Sequence, residues 1–477
     1  MSTAIKKRQI DMTEGKILGK MISFIIPLMC TNLLQTFYNA ADMMIVGLSA
    51  EKNAVGAIGV TNPVLTLFIN MFIGFSTGTG VLVARHLGAK NDNGVSKTVH
   101  TSLAVSVILG VLGGAFGIVF SRVLLVMMGA DANLLDLATS YTFVYFCGFP
   151  FVSVTNYAVQ IIRAKGDTRT PLVILSASGA LNVLLNLFFV FVCKMDVEGV
   201  ALATAISNVA SAAALVAVLM REDGPCRFEF KRLAIDGDSL KNVIVIGLPA
   251  GIQGALFSLS NLIITSSLIT VDNLLKPSGV DYAPVMSGNA AVSNLNSFIY
   301  TATNAVYLAS ITFTSQNVGA KKYERIPRVM VCAYAITMSV GLIASTLIFL
   351  LHRPLLSLYG LYDGAEGTLE HIAYQTAYTK IVIETMTYFL LAFMEVGSGV
   401  VRGFGRSITA MVIALCGSCL LRVVWIATVF KAYQNVASIY LSYPASWLAT
   451  GAVNLIVAII IYKRAMKKSR TVPVPST

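Results

Sequence analysis

Three carboxylates lie inside long apolar stretches of the sequence: Asp42, Glu384 and Glu395. The other acidic residues fall in polar segments or at the ends of apolar stretches. If these stretches cross a lipid bilayer, a charge at the centre costs about 2.5–3.5 kcal/mol on insertion scales. An apolar helix does not need a carboxylate, so the three residues are predicted to act on protons, cations or charged ligands.

Asp42 shares a helix face with polar neighbours. At 100° per residue, an arc of about 80° contains Asn32, Gln35, Asn39 and Asp42. Two later stretches carry similar faces, formed by Ser178, Asn182 and Asn186 and by Thr204, Asn208 and Ser211. Oxygen donors from three helices around one carboxylate would suit a hard cation such as sodium. The alternative is that the amides only hydrogen-bond the helices to one another, as in many membrane bundles.

A second polar face lies in the stretch 285–317. An arc of about 120° contains Asn289, Ser293, Asn296, Ser297, Tyr300, Thr303, Asn304 and Tyr307. Because lipid contacts do not favour so many polar groups, the face predicts the wall of a water-filled cavity. The alternative is a helix buried within the bundle.

Glu384 and Glu395 share one face of the stretch 373–401. Glu395 is predicted deep in the membrane and Glu384 closer to the outer interface. Either could receive a proton or a cationic substrate, on which aromatic rings can stack. The predicted substrate cavity comprises Gln35, Asn289, Ser293, Asn296, Tyr300, Asn304, Tyr307 and Glu395. The alternative is a structural salt bridge, for instance between Glu395 and Arg422.

The composition indicates that lipid, rather than water, surrounds these stretches. Of the 477 residues, 56% are hydrophobic and 12% are charged, and the mean hydropathy is +0.75. Soluble proteins carry about 25% charged residues, so a water-soluble enzyme is excluded and an all-α polytopic membrane protein is predicted. Twelve stretches are long enough to cross a bilayer. They are approximately 17–48, 54–84, 98–120, 134–162, 171–193, 197–219, 243–270, 285–317, 327–351, 373–401, 408–430 and 438–462.

Lysine and arginine are unevenly shared between the two sides of this topology. One side holds 27 of them, beginning with Lys6, Lys7 and Arg8, and the other holds seven, including Lys380. The positive-inside rule therefore predicts a multi-pass protein of the cytoplasmic membrane with both termini in the cytoplasm. The rule also explains the net charge of +12, and no nucleic-acid partner is expected.

No cofactor is predicted. Cys416 and Cys419 form a CxxC motif inside an apolar stretch, but the second Cys/His pair of a zinc site is missing. The four histidines lie near the ends of the stretches, and the sequence has no HExxH motif. A membrane-embedded enzyme is therefore the weaker alternative to a transporter.

The two halves of the chain resemble each other. Three pairs of landmarks recur in the same order: Pro27 and Pro249, Gly88-Ala89-Lys90 and Gly319-Ala320-Lys321, and residues 163–166 and 402–405, at offsets of 222, 231 and 239. The repeat predicts two six-helix lobes, residues 1–220 and 243–477, joined by a cytoplasmic linker, 221–242. Duplication of this kind is typical of transporters.

Three motifs together resemble one family. They are Pro27 followed by Gln-Thr-Phe-Tyr-Asn-Ala-Ala-Asp at 35–42, Gly-Ala-Lys at 88–90, and Arg-Ala-Lys-Gly-Asp-Thr-Arg-Thr-Pro at 163–171. The chain thereby resembles the multidrug and toxic compound extrusion family over nearly its whole length. The resemblance implies twelve helices in two lobes, cation-driven export of organic compounds and a bacterial source. It also implies that Asp42, Asn182 and Thr204 correspond to the family's cation-site residues.

Two positions depart from the family pattern. Asn186 stands where several members carry a second aspartate, and Phe257 stands where another branch carries a glutamate. The repeat counterparts of Asp42, Asn182 and Asn186 are Ile264, Leu421 and Trp425. The coupling site is therefore predicted in the N-terminal lobe, with sodium at Asp42 as one option for the cation. It comprises Asn39, Asp42, Asn182, Asn186 and Thr204.

The sequence thus predicts a secondary active multidrug exporter. It would exchange protons or sodium for organic, cationic compounds by alternating access, as a monomer in the bilayer. The main alternative is a lipid-linked oligosaccharide flippase of the same superfamily. A flippase cavity needs several cations to hold pyrophosphate, whereas Arg422 is the only cation predicted at depth.

Overall fold

The computed structural model describes residues 9–47, 54–127, 132–276 and 282–471. Lys6, Lys7 and Arg8 of the predicted cytoplasmic tail, and Lys52 of the first loop, lie outside the described residues. Within these ranges the chain forms helices and connecting loops, and no β-strand.

In the described part of the chain, twelve long helices coincide with the twelve predicted stretches. They are α1 Ile17–Gly47, α2 Ala54–Gly88, α3 Asp92–Met127, α4 Ala132–Cys147 continued by Phe149–Ala164, α5 Arg169–Val192, α6 Val197–Met220, α7 Gly237–Leu275, α8 Pro284–Gly319, α9 Ile326–Leu350, α10 Leu369–Gly403, α11 Ser407–Phe430 and α12 Val436–Arg470. Several helices extend beyond the predicted bounds, because the helix continues into polar residues at the ends of the apolar stretch.

Hydropathy alone accounts for eleven of these spans. Among the described residues, ten helices are each long and apolar enough to cross a membrane, and the two halves of α4, bent by 49°, form one more. The remaining helix, α8, has 36 residues, but its polar face reduces its mean hydropathy. Pro150 stands in the first turn after the bend of α4, where the missing N–H of a proline costs no helical hydrogen bond.

The helices group into two compact units. Unit 1 contains α1–α6, the part of α7 that ends at Ala255, and the segment Ser315–Lys321. Unit 2 contains Leu256–Thr314 and the chain from Lys322 onwards. The linker predicted at 221–242 lies inside unit 1, and the lobe boundaries stay a prediction.

Polar contacts attach the connection between α6 and α7 to the rest of unit 1. Asp236 lies just before α7, and its Oδ2 accepts a hydrogen bond from the backbone N–H of Ser239 at 3.0 Å. Its Oδ1 lies 3.0 Å from Nζ of Lys97. The Ser239 amide first, and then the Lys97 ammonium, lower the pKa of Asp236 to about 2. Deeper in unit 1, Lys165 and Glu222 form a buried ion pair.

Helix α10 departs from regular α-helical geometry where it carries a charge. The turn Ile381–Thr385 is a π-helical turn, and it contains Glu384. A π turn adds one residue to the helical repeat and so changes the direction in which the following side chains point. Such turns occur frequently at functional sites, which draws attention to Glu384 and its neighbours.

Candidate cation and substrate sites

Three helices of unit 1 meet at Asp42. On α5, Asn186 donates a hydrogen bond from Nδ2 to Asp42 Oδ1 at 2.5 Å. Asn186 also lies 3.4 Å from Asn182 Oδ1, and Asn182 lies 3.2 Å from the Thr204 hydroxyl of α6. We refer to Asp42, Asn182, Asn186 and Thr204 as the Asp42 group.

The amide of Asn182 fits the Asp42 group best when its oxygen and nitrogen are exchanged. Its nitrogen then donates to Asp42 Oδ1 at 2.8 Å, and its oxygen accepts from the Thr204 hydroxyl at 3.2 Å. Two amides thus donate to one oxygen of the Asp42 carboxylate. Asn182 and Asn186 are buried, whereas Asp42 is half-buried.

Asn186 leaves one acceptor unused. Its Oδ1 is buried and has no hydrogen-bond partner among the described residues. A buried acceptor without a partner costs about 1–3 kcal/mol. Together with the Asp42 carboxylate and the Thr204 hydroxyl, this oxygen belongs to a donor set that a proton or a hard monovalent cation could use.

Other residues of the predicted faces take different places. Gln35 and Asn39 are exposed on α1, and no described hydrogen bond joins Asn39 to the Asp42 group. Ser178 donates to the Ser207 carbonyl at 2.6 Å and accepts from Ser211 at 2.6 Å. These serines connect α5 to α6, so the alternative of helix-to-helix bonding holds for that part of the face.

The polar face of α8 meets α10 within unit 2. Lys380 Nζ donates to Asn289 Oδ1 at 2.9 Å and to Ser293 Oγ at 2.5 Å. One turn along α8, Asn296 donates from Nδ2 to Glu384 Oε1 at 3.2 Å and accepts from Thr385 at 2.8 Å. The part of the face formed by Asn289, Ser293 and Asn296 therefore makes hydrogen bonds to α10, although Ser293 is exposed.

Lys380 corrects two predictions. The charge count places it with the seven cations of the outer side, but it is buried within α10, 3% exposed, with its Nζ 3.7 Å from Glu384 Oε2. Arg422 is also not the only buried cation, because Lys380 and Arg402 are equally enclosed. The spacing of Lys380 and Glu384, one helical turn apart, is the sequence signal that could have indicated their pairing.

Glu395 lies on the same helix and is 9% exposed, and its Oε2 has no hydrogen-bond partner among the described residues. The alternative of a salt bridge with Arg422 is wrong. Arg422 instead donates to Ser446 Oγ at 3.0 Å, and its guanidinium lies 4.3 Å from the centre of the Tyr443 ring. Arg402, rather than Arg422, interacts electrostatically with Glu395.

Two tyrosines of α8 flank Glu395. Tyr300 is 45% exposed and lies within electrostatic reach of Glu395 and beside Asn304. Tyr307 accepts a hydrogen bond at its hydroxyl from Arg402, at 2.8 Å. The part of the α8 face that contains Tyr300 and Tyr307 thus places an exposed aromatic ring near the buried carboxylate of Glu395.

Comparison with known proteins identifies the chain. The sequence profile of the MatE family matches residues 27–188 and 249–428. The chain belongs to the MatE family. It is 25% identical over 467 residues to the probable multidrug resistance protein YoeA of Bacillus subtilis, and the match covers 96% of each chain. It is 27% identical over 405 residues to the multidrug export protein MepA of Staphylococcus aureus strain MRSA252, covering 84% of this chain and 85% of MepA.

Solved structures share the fold of this MatE protein. A multidrug resistance MATE family transporter in an outward-facing conformation matches with a TM-score of 0.86 at 19% identity. A MOP superfamily transporter from Pyrococcus furiosus matches with the same TM-score at 20% identity. Each match covers 96% of this chain and 99% of the other. The predicted family, the fold of twelve helices in two lobes and the assignment as a transporter rather than an enzyme are confirmed.

Proposed function

We propose that this multi-pass MatE transporter exports organic, cationic compounds and exchanges them for protons or sodium at Asp42. The observation that carries the proposal is the Asp42 group: one half-buried carboxylate, two amides and a hydroxyl drawn from three helices. The names of YoeA and MepA support multidrug export. The positive-inside rule supports both termini in the cytoplasm. We propose further that the protein lies in the cytoplasmic membrane and acts as a monomer.

A change in the state of Asp42 would be transmitted to the helices around it. The ionised carboxylate accepts the Asn186 amide at Oδ1. When Asp42 is protonated it becomes a donor and requires an acceptor, which Asn186 Oδ1 can supply after rotation of its amide. A bound sodium ion would instead draw several oxygens towards one point. Either event rearranges contacts between α1 and α5, as alternating access requires.

The substrate side of the proposal rests on Glu395 and the two tyrosines near it. An organic cation would gain from a buried carboxylate and from the face of an exposed aromatic ring. The flippase alternative is less well supported, although unit 2 contains more buried cations than the sequence indicated. Lys380 faces Glu384, so it adds no net positive charge for a pyrophosphate.

The test is transport in vesicles under separately imposed gradients. The purified protein is placed in liposomes with a fluorescent cationic dye, and efflux is recorded with a proton gradient, a sodium gradient or neither. We expect one of the two gradients to accelerate efflux of the dye against its own concentration gradient. Equal rates in all three conditions would contradict cation coupling, and no dye movement in any condition would contradict export of organic cations.

A further inference from the structure

The ammonium of Lys380 is surrounded as a small cation would be. Its Nζ lies 2.5 Å from Ser293 Oγ, 2.9 Å from Asn289 Oδ1 and 3.4 Å from the Asn289 carbonyl oxygen. A carboxylate oxygen, Oε2 of Glu384, lies at 3.7 Å. Hydroxyl, amide, carbonyl and carboxylate oxygens are the ligands that hard monovalent cations take in proteins.

The neighbouring contacts hold these oxygens in place. Asn296 donates to the other oxygen of Glu384, and Tyr440 donates to Asn289 Oδ1 at 3.4 Å. Glu384 Oε2 is buried and makes no hydrogen bond to a described residue. Because Lys380 and Glu384 are both buried, the ammonium is the charge that balances this carboxylate.

The geometry differs from that of an ordinary salt bridge. Three neutral oxygens lie closer to Nζ than the carboxylate does, whereas a salt bridge formed for charge alone places the two charged groups in direct hydrogen-bond contact. Ser293, the ligand at the shortest distance, is also exposed, so an ion from outside could reach the group. The arrangement therefore has the oxygen ligands, the negative charge of Glu384 and the access from solvent that an ion site needs.

We propose that unit 2 contains a site for one small monovalent cation and that Lys380 occupies it with its own ammonium. The ligands are Asn289, Ser293 and Glu384. A tethered cation cannot be exchanged, so the site is permanently filled in the natural protein. The inference extends the proposed function, because it explains why exchange of the coupling cation is confined to Asp42.

The test removes the tethered cation and supplies free ones. The full-length variant Lys380→Ala is purified, and its melting temperature is measured against increasing sodium, potassium or methylammonium chloride, with choline chloride keeping the ionic strength constant. We expect at least one of the three small cations to raise the melting temperature saturably, by about 2 °C or more. All variants carry Asp42→Asn, so that sodium binding at Asp42 does not contribute, and the Asp42→Asn protein with Lys380 intact should show no such rise.

A matched control removes the carboxylate as well. Lys380→Ala/Glu384→Gln keeps the shape of the site without its charge, and it should not respond to any of the cations. The inference is overturned if Lys380→Ala responds to none of the three, or if the double variant responds equally.

Recovery of folded protein decides the case in which Lys380→Ala does not fold in choline. Restoration of its yield by a small cation, while the double variant folds without one, supports the site. A single variant that stays unfolded in all three cations overturns it. Because these assays record no transport, a failure of cation coupling at Asp42 leaves their outcome unchanged, and the two proposals fail separately.

Discussion

In each unit a carboxylate lies among amides and hydroxyls, but the two carboxylates are neutralised differently. Asp42 in unit 1 has amide partners, and no ion pair among the described residues joins it to a cationic side chain. Glu384 in unit 2 faces the fixed ammonium of Lys380. A carboxylate with neutral partners can take up and release a cation. The charge of a carboxylate with a tethered cation is already neutralised. The contrast therefore distinguishes a site that can exchange a cation from one that cannot.

The duplicated sequence shows how the two units diverged. The counterpart of Asp42 is Ile264, which is buried in an apolar cluster of unit 2. At the offset of 239 that relates the two arginine-containing loops, Lys380 and Glu384 correspond to Tyr141 and Tyr145 of α4. Each unit thus carries charge where the other carries an apolar or aromatic side chain. Repeats that share a fold do not share a site.

Removing the charge of unit 1 should have the largest effect. Asp42→Asn keeps the size of the side chain and removes the ionisable group, so we expect gradient-driven efflux to fall to the rate measured without a gradient. Asp136→Asn is the matched control, since Asp136 is an exposed carboxylate of the same unit, paired with Arg122. Efflux of the Asp42→Asn variant at the natural rate would contradict a coupling role for Asp42.

Removing the carboxylate of unit 2 should instead destabilise the protein. Glu384→Gln leaves the Lys380 ammonium buried without a counter-charge, and breaking a buried pair in this way costs about 3–5 kcal/mol. The measurement is the melting temperature, with Glu370→Gln as the control because Glu370 is exposed on the same helix. Equal melting temperatures for Glu384→Gln and Glu370→Gln would show that Glu384 does not neutralise the charge of Lys380.

Glu395 tests whether unit 2 also contacts the substrate. Glu395→Gln should weaken binding of a cationic dye by about ten- to hundredfold, since a hydrogen bond to a charged group contributes about 1.5–3 kcal/mol. A neutral ligand of matched shape should lose less. Affinities for both ligands are measured alongside the melting temperature. Equal losses, or lower stability with unchanged ligand preference, would assign Glu395 to structure alone.

The smallest effect is expected at Asp236, a half-buried carboxylate of unit 1 that lies just before α7. Its pKa in the folded protein is about 2, below the ordinary value of 3.8. A lowered pKa stabilises the fold above pH 4, and this contribution is lost as the pH falls from about 4 to about 2. The difference in melting temperature between the natural protein and Asp236→Asn should therefore be smaller at pH 3 than at pH 6. A difference independent of pH would contradict the prediction.

Much of the fold followed from the sequence because its signals are local. Twelve apolar stretches predicted the twelve helices, since a chain in lipid must satisfy its backbone hydrogen bonds within each segment. The polar face of α8 was evident from its period even though its hydropathy is low. The faces around Asp42, Asn182 and Asn186 were also predicted, because each lies on one regular helix and the family resemblance identified the same positions.

Tertiary structure decided which of these side chains meet. Asn39 shares the predicted arc with Asp42, yet only Asp42 reaches Asn186, because the rotation of α1 against α5 is fixed by packing along both helices. Lys380 is counted as an outer charge from the sequence, since the positive-inside count assigns a lysine near the outer end of a span to the outer side. Burial became possible only because α8 supplies Asn289 and Ser293, and α10 itself supplies Glu384. A buried charge depends on partners distant in the chain, and helical period alone does not specify them.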